Sequence, residues 1–122
     1  MARAADAETV VLDFDGVIHQ YLRPSRSPMD IPNEPVAGAR EAIAKLRRKY
    51  FVAVCSTRCI NPVGQRAVEG WLRKHKIAVD LVTDLKVPAR AYVDDRGVPF
   101  RGKWPETLRD IEGLVPWNRR KK

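Results

Sequence analysis

The stretch VVLDFDGV, residues 10–17, decides how this chain folds. Its first half is a short apolar run rich in valine, which is typical of a strand covered on both faces of a sheet. After Leu12 it changes within four residues to two carboxylates and a glycine, Asp13, Asp15 and Gly16. We therefore predict a buried strand over 9–14 whose carboxyl end carries Asp13 and Asp15.

The rest of the chain repeats this alternation of apolar runs and helical patterns. Further short apolar runs predict strands at 51–55, 77–82 and 91–93. Apolar residues spaced by three and four, with cap and proline signals, predict helices at 35–49, from Pro62 to about His75, and from 105 to about 111. Strands that alternate with helices indicate an α/β fold, here a Rossmann-like three-layer sandwich with a central parallel sheet.

The length of 122 residues fits a single domain. We predict one folded unit over 9–116, with a flexible leader at 1–8 and a basic tail at 117–122. Segment 21–35 contains four prolines, which indicates one irregular loop over the sheet edge. No apolar run approaches the ~20 residues of a membrane span, so we expect a cytoplasmic protein without membrane contact.

The chain is basic and has few cysteines. It carries 23 Lys and Arg against 15 Asp and Glu, a formal net charge of +8. This surplus favours polyanions and leaves nucleic acid open as a partner, although four of the basic residues are the last four of the chain. Cys55 and Cys59 form neither a disulfide framework nor a zinc pattern, and we expect both to be reduced.

Polar side chains follow each predicted strand, at the edge where open parallel sheets bind their ligands. They are Asp13 and Asp15 after the first strand, Ser56, Thr57 and Arg58 after the second, Lys86 after the third, and Asp94, Asp95 and Arg96 after the fourth. Carboxylates that lie close together repel one another, and an oxygen-rich site of this kind suits Mg²⁺. With a hydroxyl and a lysine nearby, the set fits phosphoryl transfer, which needs positioning and charge neutralisation.

These residues resemble the four motifs of the haloacid dehalogenase (HAD) superfamily of phosphatases. Residues 10–17 look like motif one, and 52–56 (VAVCS) resemble motif two, an apolar strand that ends in Ser or Thr. Lys86 fits motif three, and 92–96 (YVDDR) resemble the acidic motif four. The order and spacing agree from about 9 to 104, which is most of the chain.

The resemblance implies roles for the carboxylates. Asp13 would be the nucleophile and a metal ligand. Asp15 would be the general acid/base and would also bind Mg²⁺ through its backbone carbonyl. Either Asp94 or Asp95 would be the third protein ligand, with the other acting through water, and the sequence does not choose between them.

The resemblance also implies which residues bind phosphate. Ser56 and Lys86 would hold the phosphoryl group, and Thr57 would replace Ser56 if motif two is shifted by one residue. Arg58 and Arg96 are candidates for substrate contact, although Arg96 could equally pair with a carboxylate.

HAD enzymes commonly insert a cap domain, and the spacing of the motifs leaves no room for one in this chain. Small capless members, including the phosphatase half of polynucleotide kinase, look nearest. By resemblance, capless members act on large substrates that close the site, or use a partner subunit, so the oligomeric state stays open.

The implied function is a Mg²⁺-dependent phosphomonoester hydrolase that works through an aspartyl-phosphate, on a phosphorylated small molecule or a nucleic-acid end. The alternative is a HAD-like protein that binds or processes nucleic-acid ends with its basic surface. A third interpretation is a signalling receiver. By resemblance, receivers carry the phosphorylated Asp after a middle strand, where this chain has Ser56.

Four other residues have weaker expectations. Trp71 is expected in the core, and His19 is expected at the surface of a loop rather than lining the site. For Trp104 and Trp117, packing at the domain edge is favoured over stacking on a base.

Overall fold

Four parallel strands form the frame of the computed structural model, which describes residues 7–119. They are β1 (Thr9–Asp13), β2 (Phe51–Cys55), β3 (Leu81–Thr83) and β4 (Ala91–Val93). Their order is β3-β2-β1-β4, and every neighbouring pair is parallel. The chain therefore moves outward from β1 to β3 and then returns to the other side of β1. This sheet confirms the predicted α/β class.

Three helices and two 3₁₀ turns connect and follow the strands. They are α1 (Ala39–Arg47), α2 (Pro62–Lys74), α3 (Trp104–Gly113), and the turns Thr57–Ile60 and Trp117–Arg119. The predicted start of α2 is confirmed, because the Asn61 side chain accepts a hydrogen bond from Val63 N–H and proline occupies the first turn.

Two predicted boundaries are wrong for local reasons. Helix α1 begins at Ala39 rather than near residue 35, since Gly38 has a left-handed φ of 84° and Val36 N–H donates instead to the Ile18 carbonyl, at 2.7 Å. Strand β3 begins at Leu81 rather than at residue 77. Ile77 is buried, but its N–H closes the end of α2 on the Leu72 carbonyl, at 2.9 Å, so it cannot pair with β2 there.

The hydrophobic core lies on one face of the sheet. Val10 and Leu12 of β1 are level with Val52 and Val54 of β2, so these side chains point to the same side. Helices α1 and α2 cover them, with the buried residues Ile43, Val68, Trp71 and Leu72 in the same cluster. The expectation that Trp71 belongs to the core is confirmed.

Helix α3 contributes little to this core. Thr107 is its only buried residue, and Leu108 and Ile111 are more than half exposed. Among residues 7–119, α1 and α2 share one core cluster and α3 does not join it. The three-layer sandwich expected from the sequence is therefore only partly formed by the described helices.

The predicted terminal segments lie partly outside the described residues, at 1–6 and 120–122. The Glu8 carbonyl accepts a hydrogen bond from Phe51 N–H, at 2.9 Å, so the frame of the sheet extends into the predicted leader. Residues 117–119, expected to open the basic tail, instead form a turn that is hydrogen-bonded to the body. None of the helices within 7–119 is long and apolar enough to cross a membrane.

Two leucine-to-alanine substitutions test this division between a buried and an exposed helix. Leu72 on α2 is 3% exposed, whereas Leu108 on α3 is 58% exposed. We expect Leu72→Ala to lower the free energy of unfolding by about 2–5 kcal/mol and Leu108→Ala to change it by less than about 0.5 kcal/mol, as measured by urea unfolding. Equal losses would show that α3 is packed as tightly as α2.

Candidate functional site

Three carboxylates meet where the order of the strands reverses. Asp13 ends β1, and Asp94 and Asp95 follow β4. Because Leu12 is level with Val93 in the parallel pairing of β1 and β4, the residues after them emerge at the same edge of the sheet. One ligand oxygen from each of the three carboxylates lies within 4.8 Å of the others. Open α/β sheets bind ligands at this kind of switch point.

The carboxylates raise one another's proton affinity. Burial, followed by the negative charge of Asp94, raises the pKa of Asp13 from 3.8 to about 7, although a hydrogen bond from Phe14 N–H at 2.9 Å opposes the shift. Burial and Asp94 also raise the pKa of Asp95. Three oxygen donors with uncompensated negative charge are a set that a hard divalent cation fits.

Gly16 allows the two strand ends to approach. Its φ is 84°, and a Cβ at this position would collide with the carboxylate of Asp95. The Gly16 carbonyl accepts a hydrogen bond from the indole N–H of Trp117, at 2.7 Å. Trp117 thus packs at the edge of the domain, as expected.

The side chain of Asp15 does not join the cluster. Its carboxylate binds Arg58 through Nε at 2.8 Å and Nη2 at 3.0 Å, and it contacts Nδ1 of His19 at 2.8 Å. Burial alone would raise the Asp15 pKa, but the hydrogen bonds from His19 and Arg58 outweigh it and lower the pKa. The expected group of four carboxylates around a metal is corrected to three, with Asp15 held apart as an ion pair.

Arg58 is buried and its donors are engaged, which fits a structural role, and its contact with substrate stays a prediction. It is 5% exposed, and the 3₁₀ turn after β2 directs it under the proline-rich loop. Besides Asp15, its guanidinium donates to the backbone carbonyls of residues 27, 28 and 30 and to the Ser25 hydroxyl. Together with the two oxygens of Asp15, these acceptors occupy all five N–H groups of the guanidinium.

His19 is a residue whose importance the sequence did not reveal. It is fully buried, its ring stacks on Phe14 with centroids 5.6 Å apart, and it meets the edge of Trp71 at 5.6 Å. Its Nε2 accepts a hydrogen bond from Asn33 N–H at 3.0 Å, so the proton lies on Nδ1, which donates to Asp15. The expected surface position is wrong. The apolar pair before it, Val17 and Ile18, was the available signal.

The predicted phosphate-binding residues lie together with the acids. A cavity of about 320 Å³ is lined by Asp13, Ser56, Thr57, Lys86 and Asp94, together with Val11, Cys55, Asp84, Tyr92 and Val93. It therefore brings together side chains that follow all four strands.

The two hydroxyl candidates differ in their surroundings. Ser56 is buried and its Oγ accepts from Arg58 N–H at 3.2 Å, which leaves its own O–H free to donate. Thr57 is exposed, and both line the cavity, so the choice between them stays open.

The two remaining candidate cations are exposed. Lys86 holds its ammonium 4.8 Å from the centre of the Tyr92 ring, where a cation–π contact orients it. Arg96 donates its backbone N–H to Asp94 at 2.7 Å, and its side chain is exposed.

Both cysteines are free thiols, Cys55 beside the cavity and Cys59 in the core.

Comparisons of this chain with protein-family models, with curated proteins and with solved structures find no match.

Replacing Arg58 tests whether it holds the site together. In Arg58→Ala, Asp15 keeps its charge but loses its main partner, and the loop carbonyls lose their donor. We expect the free energy of unfolding to fall by about 3 kcal/mol, because one half of a buried ion pair remains. The control is Arg23→Ala, which removes a more exposed ion pair with Asp30 and should cost under about 1 kcal/mol. Similar losses in urea unfolding would contradict the structural role of Arg58.

The raised pKa of Asp13 predicts how stability changes with pH. Ionising Asp13 costs the folded state more than the unfolded one, and this cost grows as pH rises from about 4 to about 7. Without divalent metal, Asp13→Asn should therefore stabilise the protein at about pH 8, by about 1–2 kcal/mol once solvent screening is allowed for. The gain should shrink as pH falls and vanish below about pH 3, where Asp13 is protonated in both states. A gain that is independent of pH, in thermal unfolding, would contradict the raised pKa of Asp13.

Proposed function

We propose that this protein is a Mg²⁺-dependent phosphomonoester hydrolase of the HAD type, with Asp13 as its nucleophile. The observation that carries the proposal is the single cavity at the strand switch point. It combines an acidic cluster with a hydroxyl and a lysine, which together provide a place for a metal and a place for a phosphate. The parallel sheet and the order of the motif residues at its strand ends also support membership of this superfamily.

Asp13, Asp94 and Asp95 would hold the metal. The fit follows from the structure, since three carboxylate oxygens converge, and burial together with the charge of Asp94 raises the pKa of Asp13, a cost that a divalent cation would relieve. When bound, Mg²⁺ supplies positive charge that offsets the charge of the phosphate oxygens. The resemblance adds the Asp15 backbone carbonyl as a further ligand.

Asp13 performs the first covalent step. Its carboxylate attacks phosphorus, the bond from phosphorus to the ester oxygen breaks, and the alcohol leaves with a proton from Asp15. Asp15 then takes a proton from water, which attacks the phosphorus of the aspartyl-phosphate. Inorganic phosphate is released and the Asp13 carboxylate is regenerated.

Arg58 and His19 hold the Asp15 carboxylate outside the acidic cluster and together occupy three of its acceptor sites. These partners favour its ionised form, which is the form that accepts a proton from water. Protonation of the leaving alcohol, the role that the resemblance gives to Asp15, requires that the carboxylate first takes up a proton against both contacts.

The phosphoryl group would be held by Lys86 and by the hydroxyl of Ser56 or Thr57. Lys86 offers a point charge that Tyr92 already orients, and Ser56 offers a free O–H at the wall of the cavity. The cavity, about 320 Å³, is near the lower limit for small-molecule sites, so it suits a phosphate and little more. A larger substrate would extend over the neighbouring surface.

Hydrolysis of p-nitrophenyl phosphate tests the reaction. We expect turnover with Mg²⁺ and none with EDTA, and we expect Asp13→Asn to reduce kcat by at least about 1000-fold because the nucleophile is lost. Glu112→Gln, an exposed residue of α3 outside the cluster and outside both cavities, is the control and should keep full activity.

Two outcomes would end the proposal. One is full activity of Asp13→Asn while the control is equally active. The other is turnover by the unaltered protein that persists after all divalent metal has been removed.

A further inference from the structure

A segment with no role in the reaction begins directly after the acidic cluster. Residues 96–104, with the sequence RGVPFRGKW, follow Asp95 and lead into α3. We call them the basic–aromatic segment. It contains three cations, Arg96, Arg101 and Lys103, and all three side chains are exposed. Its two aromatic residues are exposed as well.

The two aromatic rings do not belong to the core. Phe100 is 54% exposed and Trp104 is 64% exposed, so Trp104 packs less at the domain edge than Trp117, which is 43% exposed. Their ring centroids lie 5.1 Å apart with the planes tilted by 48°, so each ring contacts the other and keeps much of its surface in water. Large aromatic side chains left at the surface in this way mark a binding surface.

The charge beside these rings indicates what they bind. Exposed rings between cations form the usual surface for single-stranded nucleic acid, in which bases stack on the rings and phosphates meet the cations. The positive character ends at the segment, since residues 105–113 of α3 contain three acidic residues and one arginine. Leu108 and Ile111 of α3 are exposed as well, so the apolar surface continues along the helix, and the choice of a polyanion rests on the cations of the segment.

A second cavity lies against the same segment. It has a volume of about 320 Å³, and its charged lining residues are Arg101, Arg109 and Asp110, beside the apolar side chains of Pro99, Leu114 and Val115. Apolar walls next to guanidinium groups suit a base and its phosphate. The segment therefore offers contacts for more than one nucleotide.

We propose that the substrate is a single-stranded nucleic acid with a terminal phosphate. The terminal phosphate enters the cavity at Asp13, and the neighbouring nucleotides lie along the basic–aromatic segment, with bases on Phe100 and Trp104. Two rings and three cations exceed what one mononucleotide uses, so the substrate is a strand. This inference rests on the proposed phosphatase function and adds its substrate class.

The first experiment compares substrates on the unaltered protein. Phosphate release is measured from a hexanucleotide with a 3′-phosphate, the same strand with a 5′-phosphate, a mononucleotide and p-nitrophenyl phosphate. We expect kcat/KM for one of the two strands to exceed that for the mononucleotide by at least about tenfold, because one or more bases stack. The preferred strand identifies the end that enters. Equal kcat/KM for strands and mononucleotide overturns the proposal.

The second experiment separates stacking from general apolar contact. Trp104→Leu keeps an apolar side chain without a π-face, and Trp104→Phe keeps the π-face. We expect the ratio of the KM for the strand to the KM for p-nitrophenyl phosphate to rise about 5- to 150-fold in Trp104→Leu and much less in Trp104→Phe. Leu108→Ala, an exposed residue of α3 outside the segment, should leave the ratio unchanged. Equal ratios in all three variants overturn the proposal.

The cations are tested through salt. Replacing both Arg101 and Lys103 by Gln removes two phosphate contacts, so the slope of log affinity against log salt concentration should become shallower by about 1.4. An unchanged slope overturns the proposed contacts between these two cations and the phosphates of the strand. If sedimentation shows self-association that Trp104→Leu abolishes, while the KM for the strand is unchanged, the segment is a contact between copies and the proposal fails.

A measurement of oligonucleotide binding distinguishes failure of the proposed phosphatase function from failure of the proposed nucleic-acid surface. If no phosphoester is hydrolysed, fluorescence anisotropy of a labelled hexanucleotide is measured on the unaltered protein and on the two Trp104 variants. Binding that is lost in Trp104→Leu and retained in Trp104→Phe supports the nucleic-acid surface even without turnover. Absence of binding at low salt overturns it.

Discussion

The ion pair between Arg58 and Asp15 is the interaction on which the rest of the site depends. It joins the turn after β1 to the turn after β2, and the same guanidinium holds the proline-rich loop through three backbone carbonyls. A buried guanidinium is tolerated only when its donors are satisfied, so the loop and the two turns stabilise one another. Neutral His19 donates to the same carboxylate through Nδ1, and its Nε2 accepts a hydrogen bond from Asn33 N–H, which fixes the ring.

The acidic cluster is a local source of instability beside this stable network. Asp13, Asp94 and Asp95 converge because β1 and β4 are parallel neighbours, and Gly16 permits the approach. Burial and the charge of Asp94 raise the pKa of Asp13, a perturbation that is typical of functional sites. At the switch point, the Asp15 carboxylate is therefore paired with Arg58, whereas the acidic cluster is arranged to bind a cation. This contrast gives Asp13 and Asp15, two residues apart, different chemical properties.

The uneven coverage of the sheet connects the site to its surroundings. Helices α1 and α2 bury one face, whereas α3 and the basic–aromatic segment, which follow β4 in the chain, are largely exposed. The cavity is small and the exposed rings of Phe100 and Trp104 lie outside its lining, so a ligand that fills only the cavity would leave the rings in water. A strand that places its end in the cavity would use both, and the positive charge of the chain favours such a polyanion.

The sequence by itself determined the parallel sheet and the residues at its edge. Strands β2 and β4 were predicted at their observed bounds, and Asp13, Ser56, Lys86 and Asp94 were grouped correctly, because the carboxyl ends of parallel strands always meet. Only the tertiary structure decided that Arg58 and His19 turn inward, that Asp15 leaves the cluster and that Trp104 stays exposed. These four side chains make their contacts outside their own strand or helix. Local periodicity carries no information about contacts made across the fold.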